Sequence, residues 1–267
     1  MSLTRPPYLI LGPEAPAIPL VVSIPHTGTL LPEHTAGRLA TDGMREQPMT
    51  DWHLHRLYDF LPRMGVTMIH AIYSRFVVDL NRPPDGRPLY PGRFETGLVP
   101  LETFQGERIF SDPPGPDETP GLREAFHSPY HDALRGLLEA RIAEHGRVVL
   151  VDAHSVGSAA SRLHGELSRE IYLGDRDGET CGQWLRSCLQ TGFEVEGYSV
   201  SVNDPYKGGY ITDHYGRMEG VESIQIEMCQ RVYMDEADPS GGPEHPRFPI
   251  AGMALQRVFT TLAARVS

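Results

Sequence analysis

The run SPYHDALRGLLEARIAEHGRVVLVD, Ser128 to Asp152, decides the fold class. Ser128 and Pro129 open a helix, since the fixed φ of proline suits a first helical turn. Tyr130, Leu134, Leu137, Leu138 and Ile142 recur at helical spacing as one apolar face, and Gly146 is a stop signal. The segment RVVLVD follows at once and reads as a buried strand. Other apolar runs of strand length are Pro19–Ile24, Val66–Ile72, Phe76–Leu80 and Val221–Met228. Leu54, Leu57, Tyr58 and Leu61 predict a further helix, with Thr50 as its N-cap. Helix feeding strand, repeated, is the pattern of an α/β fold whose mixed, mostly parallel sheet lies between helices. The stretch from Asp85 to Pro120 is rich in Pro and Gly and predicts a long irregular excursion, of the kind that lines active sites.

The 267 residues contain no Ser/Gly-rich linker, charge block or fixed-period repeat, which favours a single domain over 1–267. A domain of that size is stable without a structural metal, so a metal here would serve chemistry. The cysteines, Cys181, Cys188 and Cys229, are odd in number and lack C-x-x-C spacing. They form neither a disulfide framework nor a thiolate zinc site, which points to a reducing compartment. The start, MSLTRPPYLILGPEAP, has too short an apolar run for a signal-peptide core, and no later run is long enough for a membrane span. The expected location is the cytoplasm, with no membrane partner. A formal charge of −11 argues against nucleic acid as a partner. It leaves open an anionic small molecule, because a few local arginines set the sign of a pocket.

Ligands of α/β sheets bind at the carboxyl ends of strands, so polar residues where apolar runs stop are the informative ones. His26 ends LVVSIPHTG, Asp152 and His154 end VVLVDAHS, and Glu227 sits among apolar residues in ESIQIEMCQ. Two histidines and a carboxylate match a hydrolytic zinc site, which takes three side-chain ligands and leaves one position for water. A histidine after a strand is also common as a hydrogen-bonded structural residue, so the spacing alone leaves both readings open.

The segments SIPHTG, TDWHLHRLYD, YSRFVVDLNRP, PYHDAL, VDAHSVGS, YKGGYITDHYG and QIEMCQRVYMDE resemble, in order, those of the N-formylglutamate amidohydrolases. That family is related to zinc carboxypeptidases and aspartoacylases, so the resemblance implies their fold, a sheet between helices. It implies hydrolysis of N-formyl-L-glutamate to L-glutamate and formate, a step of histidine degradation, with one Zn2+ per chain or another divalent metal in its place. His26 and His154 fall on the histidine ligands. The wider superfamily takes its third ligand from a Glu three residues after the first histidine; here that residue is Thr29. The third ligand is therefore assigned to Asp51, with His53 as the fallback. Glu227 falls on the general base and Arg75 near the oxyanion-stabilising arginine. Asn81 and Arg82 fall on the pair that grips a substrate carboxylate, and Asp152 is expected to orient a ligand. Lys207, Tyr210, Thr212 and His214 of the glycine-bearing loop are candidates for the substrate's second carboxylate.

Three rival readings stand beside this one. A relative acting on another N-acyl amino acid would share the motifs. A Ser155 or Cys229 nucleophile would survive chelation. A binding protein on the same fold would hold a small carboxylate without turnover.

Overall fold

The computed structural model describes residues 5–90, 92 and 94–266. Seven strands form one mixed sheet: β1 Tyr8–Leu11, β2 Leu20–Ile24, β3 Thr67–Ala71, β4 Val148–Val156, β5 Ile171–Gly174, β6 Val200–Val202 and β7 Val221–Cys229. Their spatial order is β1-β3-β2-β4-β7-β5-β6. The central β3, β2, β4 and β7 are all parallel, while β1 runs against β3, and β5, with β6 parallel to it, runs against β7. Four helices of more than one turn accompany them: α1 Ser128–His145, α2 Gln183–Val195, α3 Tyr210–Tyr215 and α4 Arg247–Val266.

Alternation along the strands sorts side chains to the two faces. Val149, Val151 and Ala153 of β4 join Ile224, Ile226 and Met228 of β7 in one core, which α2 and α4 cover with Leu185, Leu189, Leu255 and Phe259. Val148 and Leu150 face the other way with Val21 and Ile69, under Tyr130, Leu134 and Leu138 of α1 and Ile211 and Tyr215 of α3. Helix α1 runs from Ser128–Pro129 to Gly146, which sits at φ +77 as its left-handed cap. Both covered faces explain why the central strands read as continuous apolar runs instead of alternating ones.

Two local expectations need correction. Phe76–Leu80 is not a strand; it is a buried turn. Phe76 packs under the excursion with Met49, Ile109 and Phe110, while Val77, Val78 and Leu80 join the α1-side core. Burial makes a run apolar whatever its backbone does, so the pattern does not separate the two cases. Thr50 is not a helix cap either. The helix is the short Leu54–Leu57, entered through His53 at φ +59. Asp51 is diverted from the helix, its N–H bonding the His26 carbonyl at 3.1 Å. The segment after Asp85 is irregular as expected, pinned by the bridges Leu39–Phe110 and Glu102–Arg108; Pro91 and Arg93 within it lie outside the described residues, as do Met1–Thr4.

Candidate active site

The parallel strands β2, β4 and β7 end side by side, and their polar residues share one face. Register places Ser23 beside Asp152, Asp152 beside Gln225, and His154 beside Glu227. His26 follows β2 after two residues, and the turn from Arg75 to Arg82 delivers Asp79 and Asn81 from the other side. All of these except Arg82 are at least nine-tenths buried. That many buried polar groups demand mutual pairing.

The pairing has a distinct centre. His26 Nδ1 lies 3.2 Å from His154 Nδ1. Asp51 Oδ2 lies 3.0 Å from His154 Nδ1 and 3.8 Å from His26 Nδ1. A tetrahedral ion with bonds of about 2.0–2.1 Å has edges of about 3.3 Å, so three such atoms fit three of its corners. Around them stands a second ring. His26 Nε2 donates to Asp79 Oδ1 at 2.7 Å, and His154 Nε2 lies 3.0 Å from Asp152 Oδ2 and 3.0 Å from Asn81 Nδ2. These contacts face both Nε2 atoms outward onto carboxylates and aim both Nδ1 atoms inward, the arrangement of carboxylate–histidine–metal triads. The donor set fits a divalent metal, and His26, Asp51 and His154 are the group among the described residues that could hold one.

Electrostatics supports the same centre. Burial and Arg75 lower the pKa of His26, keeping it neutral with its lone pair free. Burial works against charge on His154, yet Asp152 and Asp51 outweigh it and raise its pKa well above the ordinary value. The central gap thus already selects for a cation, and a proton on His154 is the smallest one. Burial opposes charge on Asp79 as well, but Arg75, His26 and Arg82 hold its carboxyl well below the usual carboxylate range. Burial pushes the Glu227 carboxyl up to about 8, with His154 pulling against it and Asp51 adding to it. Gln225 Nε2 donates to Glu227 Oε2 at 3.0 Å.

Above the centre opens a cavity of about 450 Å3. His26, Asp51, His154, Glu227, Arg75, Asn81, Arg82 and Lys207 all line it. Arg75 Nη2 donates to Asp79 Oδ2 at 2.6 Å and its Nη1 lies 4.0 Å from Asp51 Oδ1. Asn81 is largely committed: Nδ2 donates to Asp152 Oδ2 at 3.1 Å and Oδ1 accepts from Ile211 N at 2.7 Å. Arg82 Nε donates to the Thr96 carbonyl at 2.8 Å. Tyr210, Thr212 and His214 are not in the lining. Tyr210 stacks on His214, Thr212 Oγ1 lies 3.5 Å from Asp152 Oδ2, and His214 meets Arg135 at 3.2 Å. Their helix α3 turns them onto the sheet and α1, and it is the Tyr206–Gly209 part of the loop that reaches the cavity. His53 points away, its Nε2 donating to the Pro239 carbonyl at 2.8 Å. Thr29 is exposed. Cys229 is buried with its thiol pushed up to about 12 by burial, and it does not line the cavity. Ser155 Oγ accepts from Tyr233 Oη at 2.8 Å, and no histidine among the described residues is bonded to it.

Sequence reasoning assigned no role to Asp79, Gln225 or Tyr206. Asp79 was visible as a lone carboxylate closing an apolar run. Gln225 was visible as the residue two before Glu227, on the same strand face. Tyr206 lines the cavity with its hydroxyl buried and without a hydrogen-bond partner among the described residues; nothing local to its sequence marks it.

The N-formylglutamate amidohydrolase family model matches residues 18–234. The chain is 38% identical over 226 residues to an N-formylglutamate deformylase of Pseudomonas putida, covering 83% of this chain and 84% of the relative. It is 39% identical over 227 residues to the N-formylglutamate deformylase of Pseudomonas aeruginosa, with the same coverage. The crystal structure of an N-formylglutamate amidohydrolase from Ralstonia eutropha superposes with a TM-score of 0.86 at 27% identity, covering 98% of this chain and 99% of that one. Fold and site together define an α/β amidohydrolase. Within that class the chain belongs to the N-formylglutamate amidohydrolase family.

Proposed function

We propose that this chain, working as one domain, hydrolyses N-formyl-L-glutamate to L-glutamate and formate with a zinc ion held by His26, Asp51 and His154. The observation that supports it most is the convergence of His26 Nδ1, His154 Nδ1 and an Asp51 oxygen, with both Nε2 atoms facing outward onto Asp79 and Asp152. Zinc at such a centre supplies Lewis-acid chemistry, polarising an amide oxygen and making nearby water more acidic. Water adds its oxygen to the formyl carbon, the C–N bond breaks, and the nitrogen leaves protonated. Glu227 takes the proton from water and returns it to the departing nitrogen, a role that needs a carboxyl whose pKa lies near working pH. Arg75 lies beside the centre and can hold the oxygen on which negative charge develops. Arg82 offers a cation to one of the substrate's carboxylates, while Asn81 Nδ2, 3.0 Å from His154 Nε2, holds the second ring in place. The path through histidine degradation and a cytoplasmic location go with this reading; among the described residues no helix is long and apolar enough to cross a membrane.

The test is formate release from N-formyl-L-glutamate by purified protein, before chelation, after it, and after zinc is restored. Release that stops and returns supports both substrate and metal. Release untouched by thorough chelation removes the metal. No release, with one metal per chain, moves the substrate to another N-acyl amino acid.

A further inference from the structure

We infer that Arg162 is the residue that reads the second carboxylate of the substrate, and so sets the preference for a dicarboxylate over a neutral N-acyl amino acid. The inference rests on the proposed N-formylglutamate reading and deepens it. A dicarboxylate needs two cationic holds at opposite ends. Among the described residues the cavity lining carries four cations, Arg75, Arg82, Arg162 and Lys207, against the carboxylates of Asp51, Glu95 and Glu227. In a chain of net charge −11 such a lining is a local reversal of sign.

The four cations are not equivalent. Arg75 is bound into the centre by Asp79, and half-buried Arg82 spends its Nε on the Thr96 carbonyl. Lys207 is drawn outward, its Nζ 2.6 Å from Asp177 Oδ2. Arg162 has the closest stacked guanidinium of the four, with Cζ 3.9 Å from the centre of the Phe94 ring against 5.1 Å for Arg75 over Phe104. Stacking fixes the plane of a guanidinium and leaves its edge, where all its donors lie, free to face a carboxylate side-on. Among the described residues Glu102 is the one side chain its donors reach, through Nη1. The backbone of Arg162 is held too, its N–H bonding the Phe104 carbonyl at 2.8 Å.

Arg82 and Arg162 also share a support. Arg82 holds the Thr96 carbonyl from within, while Arg162 stacks on Phe94. Both cations are thus held by the same short stretch of chain, Phe94 to Thr96, and line one cavity. With Arg82 on the carboxylate next to the scissile amide, Arg162 is the cation left for the other end.

The experiment compares kcat/KM for N-formyl-L-glutamate and N-formyl-L-glutamine, which differ in one charge, in wild type, Arg162→Met, Arg162→Lys and Lys207→Met. Methionine keeps the contact with Phe94 and removes the charge. The expected result is a fall of roughly 10- to 100-fold in the glutamate-to-glutamine ratio for Arg162→Met, read mainly in KM, as for loss of a charged hydrogen-bonded pair. Arg162→Lys should recover part of the ratio. An unchanged ratio in Arg162→Met, or a selective loss found only in Lys207→Met, overturns the inference. If Arg162→Met does not fold, Glu102→Gln decides: releasing Arg162 should lower KM for the glutamate substrate and raise the ratio, and no change in the ratio counts against. Wild type that releases no formate from N-formyl-L-glutamate defeats the underlying reading instead, before any variant is compared.

Discussion

Glu227 and Asp79 show how burial assigns different tasks to the same chemistry. Burial raises the Glu227 carboxyl, and the pull of His154 and Arg75 is opposed by Asp51 and Asp152; Asp79 lies against Arg75 and His26, which keep it ionised. A proton carrier and a permanent anion result. Glu227→Gln should keep the metal content of wild type while kcat falls roughly 10²- to 10⁴-fold. Full turnover in that variant would remove Glu227 as the base. Asp79→Asn leaves a weaker acceptor for His26 Nε2–H, so metal affinity should drop about 10- to 100-fold in a chelator competition. Equal affinity would mean that Asp79 does not orient the ligand. Sequence made His26, His154 and Glu227 legible because each ends or interrupts an apolar run. Asp51 needed the family comparison, since nothing near TDWH says that its carboxylate turns back to Ser155 N at 3.1 Å.

Among the elements, α1 was readable to the residue, because its start, face and stop are local chemistry. Gly146 sits at φ +77, and a Cβ there would meet no atom within 4 Å. Gly146→Ala should therefore cost only the left-handed penalty, about 1–2 kcal/mol, measured by urea unfolding with activity retained in the folded protein. A neutral result would show the cap to be dispensable. The Leu54–Leu57 segment brings His55 onto His70 of β3, with ring centroids 5.1 Å apart. Burial, then the neighbouring His70, lowers the His55 pKa to about 4. The folded value lies below the unfolded 6.5, so the unfolded chain takes up the proton first as pH falls. The stability of wild type minus that of His55→Gln should be constant above pH 7 and shrink between about pH 6.5 and 4. A difference that stays flat through that window would place His55 in a solvated setting. The Phe76–Leu80 turn and strands β1, β5 and β6 were not read. The turn is as apolar as a strand, and the short strands gain their pairing from neighbours distant in sequence.

For the whole molecule, the central question is how a sheet tolerates Asp51, Asp79, Asp152 and Glu227 buried within one site. Arg75 and a protonated His154 offset part of that charge, and a divalent ion would offset more while giving both Nδ1 atoms a partner. Metal that binds only the folded state must then stabilise it. Chelation should lower the thermal midpoint, and restoring zinc should raise it in a concentration-dependent way, by about 2.7 kcal/mol at a hundredfold excess over Kd. A midpoint insensitive to chelation and zinc would argue that no ion occupies the centre.

By itself the sequence determined the α/β class, the run of α1 into β4, and the identity of two histidines and one carboxylate at strand ends. These follow from periodicity and from the rarity of polar residues in apolar runs, both local properties. Only the tertiary structure decided that Asp79 joins Asp152 behind the two imidazoles, that the Asp51 carboxylate lies with them while His53 points away, and that Arg162 and Tyr206 share one cavity with them. Those relations join residues as distant as His26 and His154, 128 positions apart, or more, and a side chain's partner across such a separation is set by how strands align, which no local pattern encodes.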